Sequence, residues 1–305
     1  MPDESLYSVN LERISLEGSP CDGVCLIGAF LREANFVATS LSGADLSHSN
    51  LEKASMRFAK MQDAVLIGTI FTEAGLANVD FSGANLAGAD LRGATLSEST
   101  FSGCKYDSNT RFPEFTSGVR FDPKKLEMIQ VEDVPVLKPG EAEAKVDISG
   151  ARRMKHSRFG GVVAEGANFE GVCFPDGRFD YAELRGANFS GVVAQAAQAK
   201  GTNFREVNFQ GADMRGTSLA GANLSGADLR GANFERAGFM ATTVLKGANL
   251  CGANLEQIVH RNVDYTGAIY DSHTRWGKTT LVPGMYGVAP TWIAEEHSGA
   301  TKVDE

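Results

Sequence analysis

Few side chains in this 305-residue chain stand in an arrangement that catalysis or metal binding requires. Carboxylates such as Asp213 and Asp228 could act as general acid and base, but carboxylates that recur at fixed intervals are more often solvated or bonded to a turn. His260 has no second His or Cys at ligand spacing, which favours a histidine near the surface over a metal ligand. There is no phosphate-binding glycine loop and no nucleophile motif. The sequence predicts no catalytic residue, cofactor or metal, and hence a protein that is not an enzyme.

Composition and charge narrow the classes of partner. The chain has 29 basic and 38 acidic side chains, a formal net charge of −9. Binding to nucleic-acid phosphates needs clustered Lys and Arg, so we expect no direct nucleic-acid partner. No apolar run approaches the roughly 20 residues of a membrane span, and residues 1–5 lack the parts of a secretory signal. Five cysteines without zinc-site spacing favour a reducing compartment. These features predict a cytoplasmic protein without a membrane span.

A five-residue repeat must position all of these side chains. From Ser218 to Arg236 a large apolar residue recurs at every fifth position, and the residue two places before it is small. A period of five fits neither the 3.6 of a helix nor the 2 of a flat strand. The same register runs from Leu6 to Tyr106 without insertion. We therefore expect each unit to point one large and one small side chain inward and then to turn a corner.

The residues around each large apolar position predict tight turns. Glycine often stands two places after it, where a turn can require a positive φ angle. Such glycines are Gly43, Gly68, Gly83, Gly88, Gly93 and Gly103. Asn or Asp often stands just before it, where its side chain can bond the turn backbone. Such residues are Asn35, Asp45, Asn50, Asp80, Asn85 and Asp90. Cys21 and Cys104 fall on inward positions, so we interpret both as small buried residues.

This pattern resembles the pentapeptide repeat family, whose members fold as a right-handed quadrilateral β-helix. The resemblance implies an all-β solenoid in which four pentapeptides form one square coil. It implies about five coils for the first array and about six for the second. The stack would tolerate almost any outward residue, so function would reside in the outward positions.

Two similar polar strings divide the chain. Residues 106–112 read Tyr-Asp-Ser-Asn-Thr-Arg-Phe, and residues 270–276 read Tyr-Asp-Ser-His-Thr-Arg-Trp. They resemble cap strings of cyanobacterial pentapeptide repeat proteins, and we interpret them as caps over strand edges rather than catalytic motifs. The predicted domains are a first β-helix (1–106), a cap and linker with a short helix at 122–129 (107–153), a second β-helix (154–270), and a C-terminal cap and tail (271–305).

The second array departs from the formula in two ways. Its register slips by one residue near 241–244, which predicts a bulge at a corner. Alanine takes the large position at Ala164, Ala194 and Ala199. The interior there lacks bulk unless Val163 or Val193 fills it, so we expect the coil to deviate locally.

Outward apolar residues suggest where a partner could bind. Ile27, Val65 and Ile67 fall on one face of the predicted square coil, and Phe30 and Ile70 fall on the next. We call these five residues the apolar corner. It could dock a partner or the linker, or it could be a set of scattered surface residues.

The function that fits is a non-catalytic protein–protein interaction or assembly scaffold that presents rigid β-helix faces. The alternative is a DNA-mimicking regulator of DNA gyrase or another DNA-binding protein, as the resemblance to fluoroquinolone-resistance members implies. Those members dimerise through a C-terminal cap, whereas a tail follows here. The charge is also uneven, because residues 1–106 carry 13 acidic and seven basic side chains and residues 154–270 carry 11 of each. We further expect the linker to interrupt the rod. The partner, the oligomeric state and the relative orientation of the two arrays stay open.

Overall fold

The chain folds as a square coil of very short strands. The computed structural model describes residues 9–116, 119–133, 145–149, 151, 154, 157–240, 242–260, 263–276 and 291–292. Successive coils pair in parallel about every 20 residues, as Asn10 does with Phe30 and Ser55 with Gly75. Four such bridges occur in each coil, one for each pentapeptide. The predicted all-β, quadrilateral β-helix is therefore confirmed.

Most bridges involve a single residue. Strands of two or three residues lie at 25–27, between 105 and 147, and between 238 and 292. The strands are β1 (Cys25–Ile27), β2 (Lys105–Tyr106), β3 (Phe115–Thr116), β4 (Val119–Arg120), β5 (Ile129–Gln130), β6 (Lys145–Asp147), β7 (Gly238–Phe239), β8 (Asn254–Leu255), β9 (Val259–His260), β10 (Ile269–Tyr270), β11 (Arg275–Trp276) and β12 (Thr291–Trp292). The helix expected at 122–129 is a shorter 3-10 helix, η1 (Pro123–Leu126), in which the Asp122 side chain accepts from the Lys124 N–H.

The corner chemistry follows the sequence prediction. All six glycines have φ between 63° and 72°, and Ala38 adopts φ of 55° at the equivalent position. All six Asn and Asp residues accept a hydrogen bond from the N–H two residues ahead, as Asn35 does from Val37 at 3.1 Å. Each unit therefore closes its own turn, which leaves the large side chain pointing inward.

Many of the large inward positions of the second stack hold phenylalanine, whereas three hold alanine. At two of the alanine positions the size order is exchanged, because the buried valines Val162 and Val192 precede Ala164 and Ala194 by two places. Bridges continue without a break through Val163 and Val193, which point outward. The expected local deviation was therefore wrong, as was the suggestion that these outward valines fill the interior.

The one-residue slip produces the predicted bulge. Ser218 pairs with Gly238, 20 residues ahead, whereas Asn223 pairs with Val244, 21 residues ahead. The extra residue therefore lies between Gly238 and Val244. Within this interval Thr242 has φ of 70°, and the Thr243 hydroxyl bonds the Leu219 carbonyl at 2.8 Å. The coil recovers its inward phase within one unit.

The two stacks meet end to end through their first coils. Asn10 and Val163 exchange both backbone hydrogen bonds at 2.8 Å, and Ser15 and Arg158 exchange theirs at 3.3 and 3.1 Å. β1 pairs antiparallel with β6, with Leu26 opposite Val146. Reciprocal bonds of this kind define an antiparallel ladder, so the two first coils run in opposite directions. The backbone N–H and C=O groups at the start of each stack, which would otherwise form an open strand edge, thus bond to each other.

This junction makes the two stacks one rod. Bridges define five coils from residue 10 to 111 and six from 147 to 269. At about 4.8 Å per coil, such a rod extends roughly 50 Å. Buried apolar residues of both stacks form one continuous cluster. The expectation that residues 107–153 interrupt the rod was wrong, because β6 lies within this range and pairs with both stacks.

Candidate functional site

The five residues of the apolar corner lie on two neighbouring faces of the first stack. Cys25, Asp45 and Val65 form one ladder of bridges, and Phe30, Asn50 and Ile70 form the next. Ile27 and Ile67 occupy the turn that joins these faces. The sequence therefore placed all five side chains on the outside and along one corner.

The corner is half-buried and interrupted by polar residues. None of its five side chains is fully exposed. The coil between the two apolar groups presents Asp45, the buried Ser47, His48 and Asn50. Burial lowers the pKa of His48, and Asp45 opposes this shift only in part, so the imidazole is neutral at pH 7. The corner presents two groups of apolar side chains that lie two coils, or about 10 Å, apart. The uncharged imidazole of His48 lies in the coil between them.

The junction adds a residue that the sequence did not assign to this surface. Val163 is 38% exposed and pairs with Asn10, which pairs in turn with Phe30. It extends the line of Ile70 and Phe30 onto the second stack. No local pattern could have placed it there, because the contact joins positions far apart in the chain. Ile27 lies in β1, which is paired with β6 opposite Lys145. This strand edge is therefore not available to a partner strand.

The two polar strings form caps of nearly identical geometry. Asp107 Oδ1 accepts from the Gly88 N–H at 2.7 Å, and the Thr110 hydroxyl bonds the Leu86 carbonyl at 3.0 Å. In the second cap, Asp271 Oδ1 accepts from the Gly252 N–H and the Thr274 hydroxyl bonds the Leu250 carbonyl, each at 2.9 Å. In both strings the side chains satisfy backbone groups of the last coils, as the cap interpretation requires.

The repeat itself decides which family the chain belongs to. A model of pentapeptide repeats matches eight copies, between residues 14 and 105 and between residues 182 and 257. The chain belongs to the pentapeptide repeat family. No curated protein matches this pentapeptide repeat protein significantly.

Solved structures of other pentapeptide repeat proteins are similar to parts of the chain. HetL, involved in heterocyst differentiation regulation in the cyanobacterium Nostoc sp. strain PCC 7120, is 24% identical over 87% of this chain and 90% of its own, with a TM-score of 0.25. QnrB1, a plasmid-mediated fluoroquinolone resistance protein, is 14% identical over 82% and 91%, with a TM-score of 0.28. A protein from the Arabidopsis thaliana thylakoid lumen is 31% identical over 32% and 68%, with a TM-score of 0.25. At these TM-scores the similarities do not extend to function.

The side chains first considered for chemistry are held apart in this pentapeptide repeat protein. Asp213 and Asp228 stand in separate bridge ladders, and each binds the arginine two residues ahead at 2.7 Å. Hydrogen bonds from Arg215 keep the pKa of Asp213 below its ordinary value. Burial acts to raise the pKa of Asp228, but the bonds from Arg230 outweigh it and the pKa is lowered. Neither carboxylate is therefore poised to exchange a proton near neutral pH.

Two of the remaining candidates, Cys21 and Cys104, are buried. Burial raises the pKa of Cys21 and Cys104 to about 12, in line with their interpretation as small core residues. The side chain of His260 lies outside the described residues. Within the described ranges, no group of three His, Cys, Asp or Glu could hold a metal ion. No helix of these ranges is long and apolar enough to cross a membrane.

Proposed function

We propose that this protein is a non-catalytic cytoplasmic scaffold that binds a protein partner through the faces of its rod, with the apolar corner as the contact surface. The observation that carries the proposal is that the inward side chains, the paired carboxylates and the cap strings all have structural roles. Inward positions fill a continuous core, Asp213 and Asp228 are bound to arginines, and the cap strings bond the last coils. Outward faces of a rigid backbone are what remains for recognition. None of the five cysteines, all within the described residues, forms a disulfide, which fits a reducing compartment.

Replacing Ile67 and Phe30 by serine tests the corner. Because both side chains are half-buried, each change should cost only about 1 kcal/mol of stability, whereas loss of two apolar anchors should weaken partner binding at least about tenfold. The partner would first be captured from the source cell with the wild-type protein and identified by mass spectrometry. Its affinity for both proteins would then be measured by calorimetry.

Phe58→Ser is the matched control, because Phe58 is an apolar residue of the same stack and is 51% exposed. It should leave partner affinity unchanged. Equal affinity of the corner variant and the wild type would contradict the proposal. So would a loss of more than about 3 kcal/mol in unfolding free energy, because half-burial accounts for only about half of the 1.5–3 kcal/mol of a fully buried side chain.

The continuity of the rod favours the DNA-mimicking alternative more than the sequence did. A rod of about 50 Å with an acidic first half could occupy a duplex-binding surface. An effect on gyrase would be measured as inhibition of supercoiling, or as protection from a fluoroquinolone, at micromolar protein. If neither occurs, this alternative is removed and the scaffold proposal is unaffected.

A further inference from the structure

An exposed aromatic ring is seated on one corner of the second stack. Tyr181 is 58% exposed. Its N–H donates to the Lys200 carbonyl at 2.8 Å, which places Gly201 at the same corner one coil later. A Cβ atom added to Gly201 would lie 2.8 Å from both Cδ1 and Cε1 of the ring, so this edge of the ring rests directly on the glycine. One coil earlier the corner is formed by Gly160 and Gly161, which carry no side chains. The ring therefore presents a planar apolar surface to solvent beside a flat stretch of backbone.

Two arginines lie side by side on the adjoining face. Arg158 and Arg178 form one bridge of a parallel ladder, and both are exposed. Neighbouring coils are about 4.8 Å apart, and like charges on paired positions of a sheet are unfavourable. Elsewhere in the stack, Arg215 and Arg230 each bind the aspartate two residues before them at 2.7 Å. The pair fits a phosphate, whose oxygens can accept hydrogen bonds from both guanidinium groups.

The ring and the arginines lie close enough to contact one small ligand. Arg178 precedes Tyr181 by three residues, so their Cα atoms are at most about 10 Å apart. Lys200 adds a third cation, with its Nζ 5.9 Å from the ring centroid, at the outer limit of a cation–π contact. Asp180 Oδ1 accepts from the Lys200 backbone N–H at 2.9 Å. Even with Asp180, and with Asp176 at the far corner of the face, the three cations leave an excess of positive charge.

We propose that these four residues, Arg158, Arg178, Tyr181 and Lys200, bind a free nucleotide, with the base stacked on Tyr181 and the phosphate held by the two arginines. We call them the aromatic–basic patch. A base stacks on an aromatic side chain through its face, whatever its sequence identity. The guanidinium fork matches phosphate oxygens, and the Lys200 ammonium can turn from the ring towards the phosphate. Because the ring and the arginines each recognise one part of the ligand, neither a nucleoside nor phosphate alone should bind comparably.

The probe is adenosine monophosphate that carries an N-methylanthraniloyl label on its ribose, titrated against the full chain by fluorescence anisotropy. Binding in the submillimolar range is expected, and unlabelled adenosine monophosphate should displace the label. Adenosine and inorganic phosphate should each displace it at least about tenfold less well, because each contacts only part of the patch. Binding should weaken as the salt concentration is raised.

Variants of the patch separate stacking from charge. Tyr181→Ala should weaken binding about tenfold through the lost stacking, and Arg158→Gln and Arg178→Gln should each do so about tenfold through the lost phosphate contacts. Gly201→Ala should also weaken binding, since the added methyl group displaces the ring and leaves every charge in place. Alanine adopts the same backbone conformation at Ala196, with φ of 57°, so the fold should be retained.

The matched controls are Phe58→Ala and Arg205→Gln. Phe58 is an exposed ring of the first stack, with the Arg57 guanidinium 5.3 Å from its centroid. Arg205 is an exposed arginine at another corner of the second stack. Neither change should alter nucleotide binding, and melting temperatures of all variants would show that each is folded.

Failure of adenosine monophosphate to displace the label, or equal binding by the Tyr181, Arg158 and Arg178 variants, would overturn the proposal. Equal competition by adenosine or by phosphate would also overturn it. So would displacement by a short oligothymidylate or oligoglutamate at a lower concentration than adenosine monophosphate, because the patch would then bind an extended polyanion. The Ile67→Ser, Phe30→Ser variant should bind the nucleotide normally. The outcome is thus separable from that of the apolar corner.

Discussion

Replacing Phe189 by alanine is expected to lower the unfolding free energy by about 3–5 kcal/mol. The ring is 1% exposed and lies at the centre of the aromatic interior of the second stack. Its neighbours, with distances between ring centroids, are Phe169 at 4.6 Å, Phe209 at 5.4 Å, Phe179 at 5.8 Å and Phe204 at 5.8 Å. Four rings thus lose a contact, and the coil backbone cannot collapse into the cavity because neighbouring coils fix it. Urea unfolding followed by circular dichroism measures the loss.

The control for this change is Phe115→Ala, at a ring that is 55% exposed. It should alter stability by less than about 0.5 kcal/mol. Because coil stacks can unfold in stages, calorimetry should accompany the urea experiment. A loss below about 1 kcal/mol for Phe189→Ala would mean that the interior can repack, which a close-packed core does not permit.

Local rules made most of the coil predictable from the sequence. Each unit closes its own turn, so Asn35 and Gly43 can be assigned roles without knowledge of any distant contact. The bulge after Gly238 was predictable for the same reason, since one inserted residue must be absorbed within one unit. The prediction for the alanine positions failed because it assigned the large side chain to only one of the two inward positions of each unit. At two of the three positions the other inward residue supplies bulk, as Val192 does beside Ala194, whereas Ala197 and Ala199 are both small.

The junction was not predictable, because no residue pattern specifies which coil edges pair with each other. Every coil presents the same alternation of N–H and C=O groups, so nothing in residues 10–27 specifies pairing with 145–163. The same limit applies to the candidate surfaces. The pattern placed Ile27 and Ile67 outside, but the structure shows both to be half-buried.

Replacing Asp107 by alanine is expected to cost about 3 kcal/mol or more. Asp107 is 2% exposed, and its Oδ1 accepts from the N–H groups of Gly88, Asn109 and Thr110 at 2.7, 3.1 and 3.0 Å. Alanine leaves these donors without the carboxylate, at a partly buried site. The last coil should therefore open first and expose its strand edges. Hydrogen exchange at Leu86 and Leu91 would locate the opening, and light scattering would detect association.

Asp107→Asn is the informative comparison, because an amide oxygen keeps the acceptor without the charge. It should cost clearly less than Asp107→Ala, whereas Glu165→Ala at an exposed site should cost almost nothing. Asp271→Ala should repeat the effect at the other end of the rod, since the second cap has the same geometry. If Asp107→Ala and Asp107→Asn were equally mild, the polar strings would not close the stack. Conservation of Asp-x-x-Thr between the two ends would then need an explanation in binding rather than in folding.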